Sequence, residues 1–166
     1  MRLVALFRRC RALERRAAAV YHSFAGVTRD GPAFRTFWTS LSHEEEEHDH
    51  LLAFIQKVRS ATDMNETTVS DCCEALDEVE IRMRAAEHVP TNATSDTMFS
   101  AALQLELSEL DAVVGYALQA AGGVPSLAIR PDHAEGLARF ALDHSQDPRV
   151  LLEARLVQVR ARLCGR

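Results

Sequence analysis

The chain has 166 residues, 47% of them hydrophobic and 26% charged, which is enough apolar content for one full-sized core and excludes a disordered or fibrous chain. The net charge of −5 comes with no basic stripe, which argues against a nucleic-acid partner. A single domain over 1–166 is the expectation.

Glycine and proline are sparse, and between them run long stretches of helical periodicity with almost no strand-like alternation, so an all-α fold is expected. The first helix is placed over 3–25. Its apolar start, Leu3 to Phe7, is too short for a signal-peptide core, and the chain is read as cytoplasmic. Three- and four-residue spacing along it gives Leu3, Phe7, Cys10, Glu14, Ala17, Tyr21 and Phe24, an inward row interrupted by one carboxylate.

The second helix is placed over 32–60, with Pro32 in its first turn. It contains "LSHEEEEHDHLL" at 41–52, a run that reads at first as a solvated acidic face. The same spacing gives Phe34, Trp38, Leu41, Glu45, His48, Leu52 and Ile55. Glu45 and His48 therefore point inward, whereas Glu46, Glu47, Asp49 and His50 fall off the row and are expected in solvent. Trp38 reads as a core aromatic.

A connecting helix over 70–88 carries Val69, Cys72, Leu76, Val79, Met83 and Ala86, an apolar row throughout and so ordinary packing. The third long helix, 96–121, gives Phe99, Ala102, Glu106, Glu109, Val113, Tyr116 and Ala120. The fourth, 132–163 with a break or kink at Pro148, gives Leu137, Phe140, His144, Asp147 and Leu151. Ser70 or Asp71 and Asp96 are the expected N-caps. The uncharged run from Ala112 to Ile129 is interrupted by Gly122, Gly123 and Pro125 and does not read as a membrane span.

Each long helix thus places ionisable residues in the middle of an apolar row. Burying one unpaired charge costs several kcal/mol, and seven would exceed a domain's net stability of roughly 5–15 kcal/mol. The groups must be compensated by one another and a cation, or the rows must turn toward water. Carboxylates with imidazoles between helices suit one or two iron or manganese ions. Cys10, Cys72, Cys73 and Cys164 form no C-x-x-C pair, so neither a zinc nor a rubredoxin-type iron site can be built from them.

Three features then stand out: Glu14 seven residues before Tyr21, Glu45-x-x-His48 within "EEEH", and Glu106-x-x-Glu109 with Tyr116 seven residues after Glu109. On these the chain resembles the ferritin-like di-iron carboxylate superfamily, in its rubrerythrin-like branch without a rubredoxin domain. The resemblance implies a four-helix bundle with a long crossover from the second to the third long helix, the crossover holding the extra helix. It implies two irons per chain, with manganese the alternative, held by Glu14, Glu45, His48, Glu106, Glu109, His144 and Asp147. The hydroxyls of Tyr21 and Tyr116 would hydrogen-bond the ligand carboxylates.

The fourth helix departs from the family pattern. It offers His144-Ser-Gln-Asp147 in place of a second Glu-x-x-His, and Asp147 reads equally as the N-cap of a helix that starts at Pro148. The implied function is redox chemistry with O2 or H2O2, either peroxide reduction or Fe(II) oxidation, fed by an external electron donor. The resemblance also allows a homodimer. Two other readings are an iron-handling or storage bundle and a metal-free helical interaction module.

Overall fold

The computed structural model describes residues 3–58, 66–120 and 132–164, with side chains described over 4–57, 74–108 and 134–161. All described secondary structure is helical: α1 (Leu3–Val27), α2 (Pro32–Val58), α3 (Glu66–Glu87), α4 (Ser95–Ala120), α5 (Asp132–His144) and α6 (Pro148–Cys164). Among the described residues no helix is long and apolar enough to cross a membrane.

α1 and α2 form an antiparallel pair. The short link between them turns at Gly31, whose φ of 100° lies in the left-handed region that a side chain disfavours. Pro32 follows at the first position of α2, where its missing N–H leaves no helical bond unmade. The seam between the two helices is built from the rows expected on each. Phe7, Cys10, Ala17, Tyr21 and Phe24 are buried on α1, facing Trp38, Leu41, Leu52 and Ile55 on α2. The Trp38 ring meets Phe24 edge-on at 5.2 Å and lies against Tyr21 at 6.0 Å.

α3 runs beside α1 in the same direction. Arg9 pairs with Asp77 and Glu80, and Arg16 grips Glu87 with two bonds of 2.6 and 2.8 Å. Beside these pairs α3 buries Leu76, Val79, Met83 and Ala86, the described part of the row expected of it; the side chains of Val69 and Cys72 lie outside the described residues. α3 begins at Glu66, so Ser70 and Asp71 lie inside it and do not cap it. α4 is capped by Thr94, whose hydroxyl accepts the Thr97 N–H at 3.3 Å, and not by Asp96. Asp96 instead accepts a hydrogen bond from the buried Ser145 hydroxyl at 2.5 Å.

The fourth long helix breaks at Pro148, giving two helices, α5 and α6, that pack against each other. α5 leans on α2 through parallel rings of Phe37 and Phe140, 3.9 Å apart. α6 runs alongside α4 in the same direction, tied by Gln104 to Glu153 at 3.0 Å and by Arg160 to the Leu107 carbonyl at 3.3 Å. The buried row of α5 is Ala134, Leu137, Ala138 and Ala141, Ser145 is buried just past its end, and α6 adds Val150, Ala154 and Val157. Beside this row Phe140 is partly buried against the core, and His144 ends α5 at the surface. One contiguous core draws buried residues from all six helices.

Candidate metal centre

Three of the expected ligands meet at the α1–α2 seam. Donor atoms of Glu14, Glu45 and His48 all lie within 4.8 Å of one another. The helical period explains the two on α2: residues three apart project from one face. Glu14 arrives from α1 because the antiparallel pairing sets its turn opposite that face. Glu45 is fully buried and Glu14 is 4% exposed, while the His48 side chain retains 16% of its surface.

His48 Nδ1 lies 3.0 Å from Glu45 Oε2 and 3.6 Å from Glu14 Oε2. The first distance is a hydrogen bond and the second is beyond one. Glu14 Oε2 is buried with no hydrogen-bond partner, an arrangement that costs a carboxylate its hydration without return. Two carboxylates and one imidazole aimed at a common point are a donor set that a divalent transition ion accepts, and such an ion would engage the oxygen that His48 does not reach.

Glu106 is also fully buried, on α4. The Tyr21 hydroxyl donates a hydrogen bond of 2.7 Å to its Oε1, so the expected tyrosine-to-carboxylate contact forms for this residue. Glu106 is not part of the three-residue group. The side chains of Glu109 and Tyr116 lie outside the described residues, although both positions fall within α4.

His144 and Asp147, expected on an inward row, stand elsewhere. His144 is exposed, stacks on Phe140 at 4.1 Å and shares its Nδ1 with the Phe140 carbonyl at 2.9 Å. It also meets the ring of Phe34 at 5.1 Å. Phe34 precedes Glu45 by about 16 Å of helix, which puts His144 at the N-terminal end of α2, away from the Glu14–Glu45–His48 group at its middle. Asp147 is the N-cap of α6, its Oδ1 accepting the Arg149 N–H at 2.8 Å. Of the row expected there, Leu137 is buried and Phe140 packs against the core, whereas His144 is the exposed last residue of α5 and Asp147 lies beyond its end.

One participant was missed in the other direction. Asp49, expected in solvent, is 8% exposed and sits at the same seam. Burial pushes its carboxyl pKa up, but hydrogen bonds and charge from Arg11 and Arg15 more than reverse this, and the net shift is downward. The signal was present in the spacing. Asp49 is four residues past Glu45 and three before Leu52, so a helix face one residue wider than a single row includes it. Glu46, Glu47 and His50 are exposed, as expected of them.

Comparison of the chain with protein-family models, with curated proteins and with solved structures returned no match.

Proposed function

We propose that Glu14, Glu45 and His48 bind a divalent iron or manganese ion, and that the protein is a ferritin-like, non-haem metal protein of redox function. The observation that carries this reading is the buried Glu14 oxygen without a hydrogen-bond donor, facing a second carboxylate and an imidazole from the neighbouring helix. When bound, iron would supply one-electron chemistry toward O2 or H2O2, with electrons returned by an external donor. The two carboxylates offset the ion's charge, and the apolar neighbours Leu13, Leu41 and Leu52 keep bulk water from the donors. Tyr21 holds Glu106 in one orientation at the α1–α4 contact. A second ion, as the family resemblance implies, would draw on Glu106 and Glu109 without help from His144 or Asp147.

The 3.0 Å bond between His48 and Glu45 favours one rival, a metal-free bundle in which the inward polar groups hydrogen-bond one another. Metal content after anaerobic Fe(II) loading and desalting separates the two. One or two irons retained per chain, with an absorption change in the near ultraviolet when air is admitted, support the metal protein. No retained metal, under conditions where Mn(II) also fails to bind, supports the metal-free bundle.

A further inference from the structure

Asp49 follows His48 directly and stands one helical turn past Glu45. Two guanidiniums from α1 reach it. Arg11 donates through Nε at 2.7 Å and Nη2 at 3.3 Å, and Arg15 through Nη1 at 3.0 Å. Arg11 lies three residues before Glu14 and Arg15 one after it, so the two cations bracket the α1 carboxylate while their shared acceptor adjoins the α2 donors. We propose that Asp49, gripped by Arg11 and Arg15, is the positioning residue of the Glu14–Glu45–His48 group, setting the register and rotation of α2 against α1 where the ion is held. The inference rests on the metal-binding reading above.

The tolerance of a metal site gives the clamp its purpose. Donor distances hold to within about 0.2 Å, whereas a slip of one residue moves a helix by about 1.5 Å and rotates its face by about 100°. Around the group the seam is made of Leu13, Ala17, Ala18, Leu41 and Leu52. Apolar contacts of that kind are non-directional and resist small slides weakly. A carboxylate held by two guanidiniums is directional, and it defines one alignment of the two helices.

The same contacts have an electrostatic consequence. Engaged with Asp49, the two arginines are drawn away from Glu14 and Glu45. Released, they would be cations within one turn of the ligand carboxylates and would compete with the metal for them. Loosened geometry and competing cations both predict weaker metal binding when the Asp49 charge is removed.

The test uses the full chain and Co(II), whose visible absorption reports donor geometry as well as occupancy. Asp49→Asn is expected to lower Co(II) affinity by between about tenfold and 100-fold and to change the shape of the visible band. Arg15→Gln leaves both Arg11 bonds in place and is expected to give a smaller loss in the same direction. Ser42→Ala removes the seam bond from Ser42 Oγ to the Ala18 carbonyl, 2.9 Å long; it should lower the melting temperature and leave affinity and band unchanged.

A folded Asp49→Asn chain with wild-type affinity and band overturns the clamp. A Ser42→Ala loss equal to that of Asp49→Asn also overturns it, since any loosening of the seam would then suffice. Where Asp49→Asn does not fold, Arg15→Gln decides, and unchanged affinity there overturns the proposal. Failure of the unaltered chain to bind Co(II) overturns the metal reading and the clamp together, whereas binding that ignores the clamp variants overturns the clamp alone.

Discussion

The Tyr21 hydroxyl donates a 2.7 Å hydrogen bond to Glu106 Oε1, joining residues 85 positions apart with both side chains fully buried. A carboxylate in an apolar seam needs donors, and a phenol supplies one while its ring stays among Phe24 and Trp38. Tyr21→Phe keeps that ring and removes only the donor. It is expected to destabilise the fold by about 1.5–3 kcal/mol, the usual scale for a hydrogen bond to a charged group. Chemical denaturation of the two proteins measures it, and a loss under a few tenths of a kcal/mol would show that the bond matters little.

Glu45 and His48 are separated from the exposed Glu46 and Glu47 by one or two positions, yet Glu45 is fully buried and His48 largely so. Replacing either inward residue with alanine should abolish metal retention. Replacing either of its exposed neighbours should leave retention unchanged and alter stability by less than about 0.5 kcal/mol. Elemental analysis of the four alanine variants after loading gives the comparison, and equal effects from all four would refute the assignment of the inward face.

Much of this contrast was legible in the sequence. α1, α2 and α3 expose a single continuous apolar row, and a three- and four-residue step follows it correctly from Phe7 to Phe24, from Trp38 to Ile55 and from Leu76 to Ala86. The inward placement of Glu14, Glu45 and His48 was readable for the same reason, since they interrupt rows that are otherwise apolar. On α5 the row holds for Leu137 and, in part, Phe140, but it misses the buried Ala134, Ala138 and Ala141, which look neutral in a sequence, and it runs on to His144, which the end of the helix leaves exposed. Asp49 lies beside the single row of α2, so only a face one residue wider takes it in, and the two arginines that hold it there come from another helix. That α6 returns alongside α4 depends on contacts such as Gln104 with Glu153, which lie outside any local rule.

Acid should weaken the α1–α2 and α1–α3 seams together. Asp49 titrates below the ordinary carboxylate range because Arg11 and Arg15 outweigh the opposing effect of burial. Glu87 does so because Arg16 holds it, first through hydrogen bonds, against a smaller effect of burial. In both cases the unfolded chain takes up its proton at a higher pH than the folded chain does. The stability these groups contribute is therefore complete above the unfolded pKa of about 4 and is lost as pH falls through the lower folded values. Melting temperature should decline from about pH 5 downward, and Asp49→Asn should flatten that decline. A slope unaffected by the substitution would mean other carboxyls dominate acid unfolding.

His144 and Asp147 separate the role implied by family resemblance from the one their contacts define. His144 faces Phe34 and Phe140 at the surface, and Asp147 accepts an amide proton from the first turn of α6. His144→Ala should leave metal content unchanged. Asp147→Ala should cost about 1 kcal/mol as the cap is lost, and Asp147→Asn should cost almost nothing, because asparagine caps a helix as well as aspartate does. Neither change at Asp147 should alter metal content, since the cap lies on a different seam from Glu14, Glu45 and His48. The asparagine variant is the sharper of the pair: a metal ligand would suffer from losing its charge, whereas a cap would not. Thermal unfolding and elemental analysis on the three variants give both readouts, and metal loss in Asp147→Asn with stability intact would restore Asp147 as a ligand.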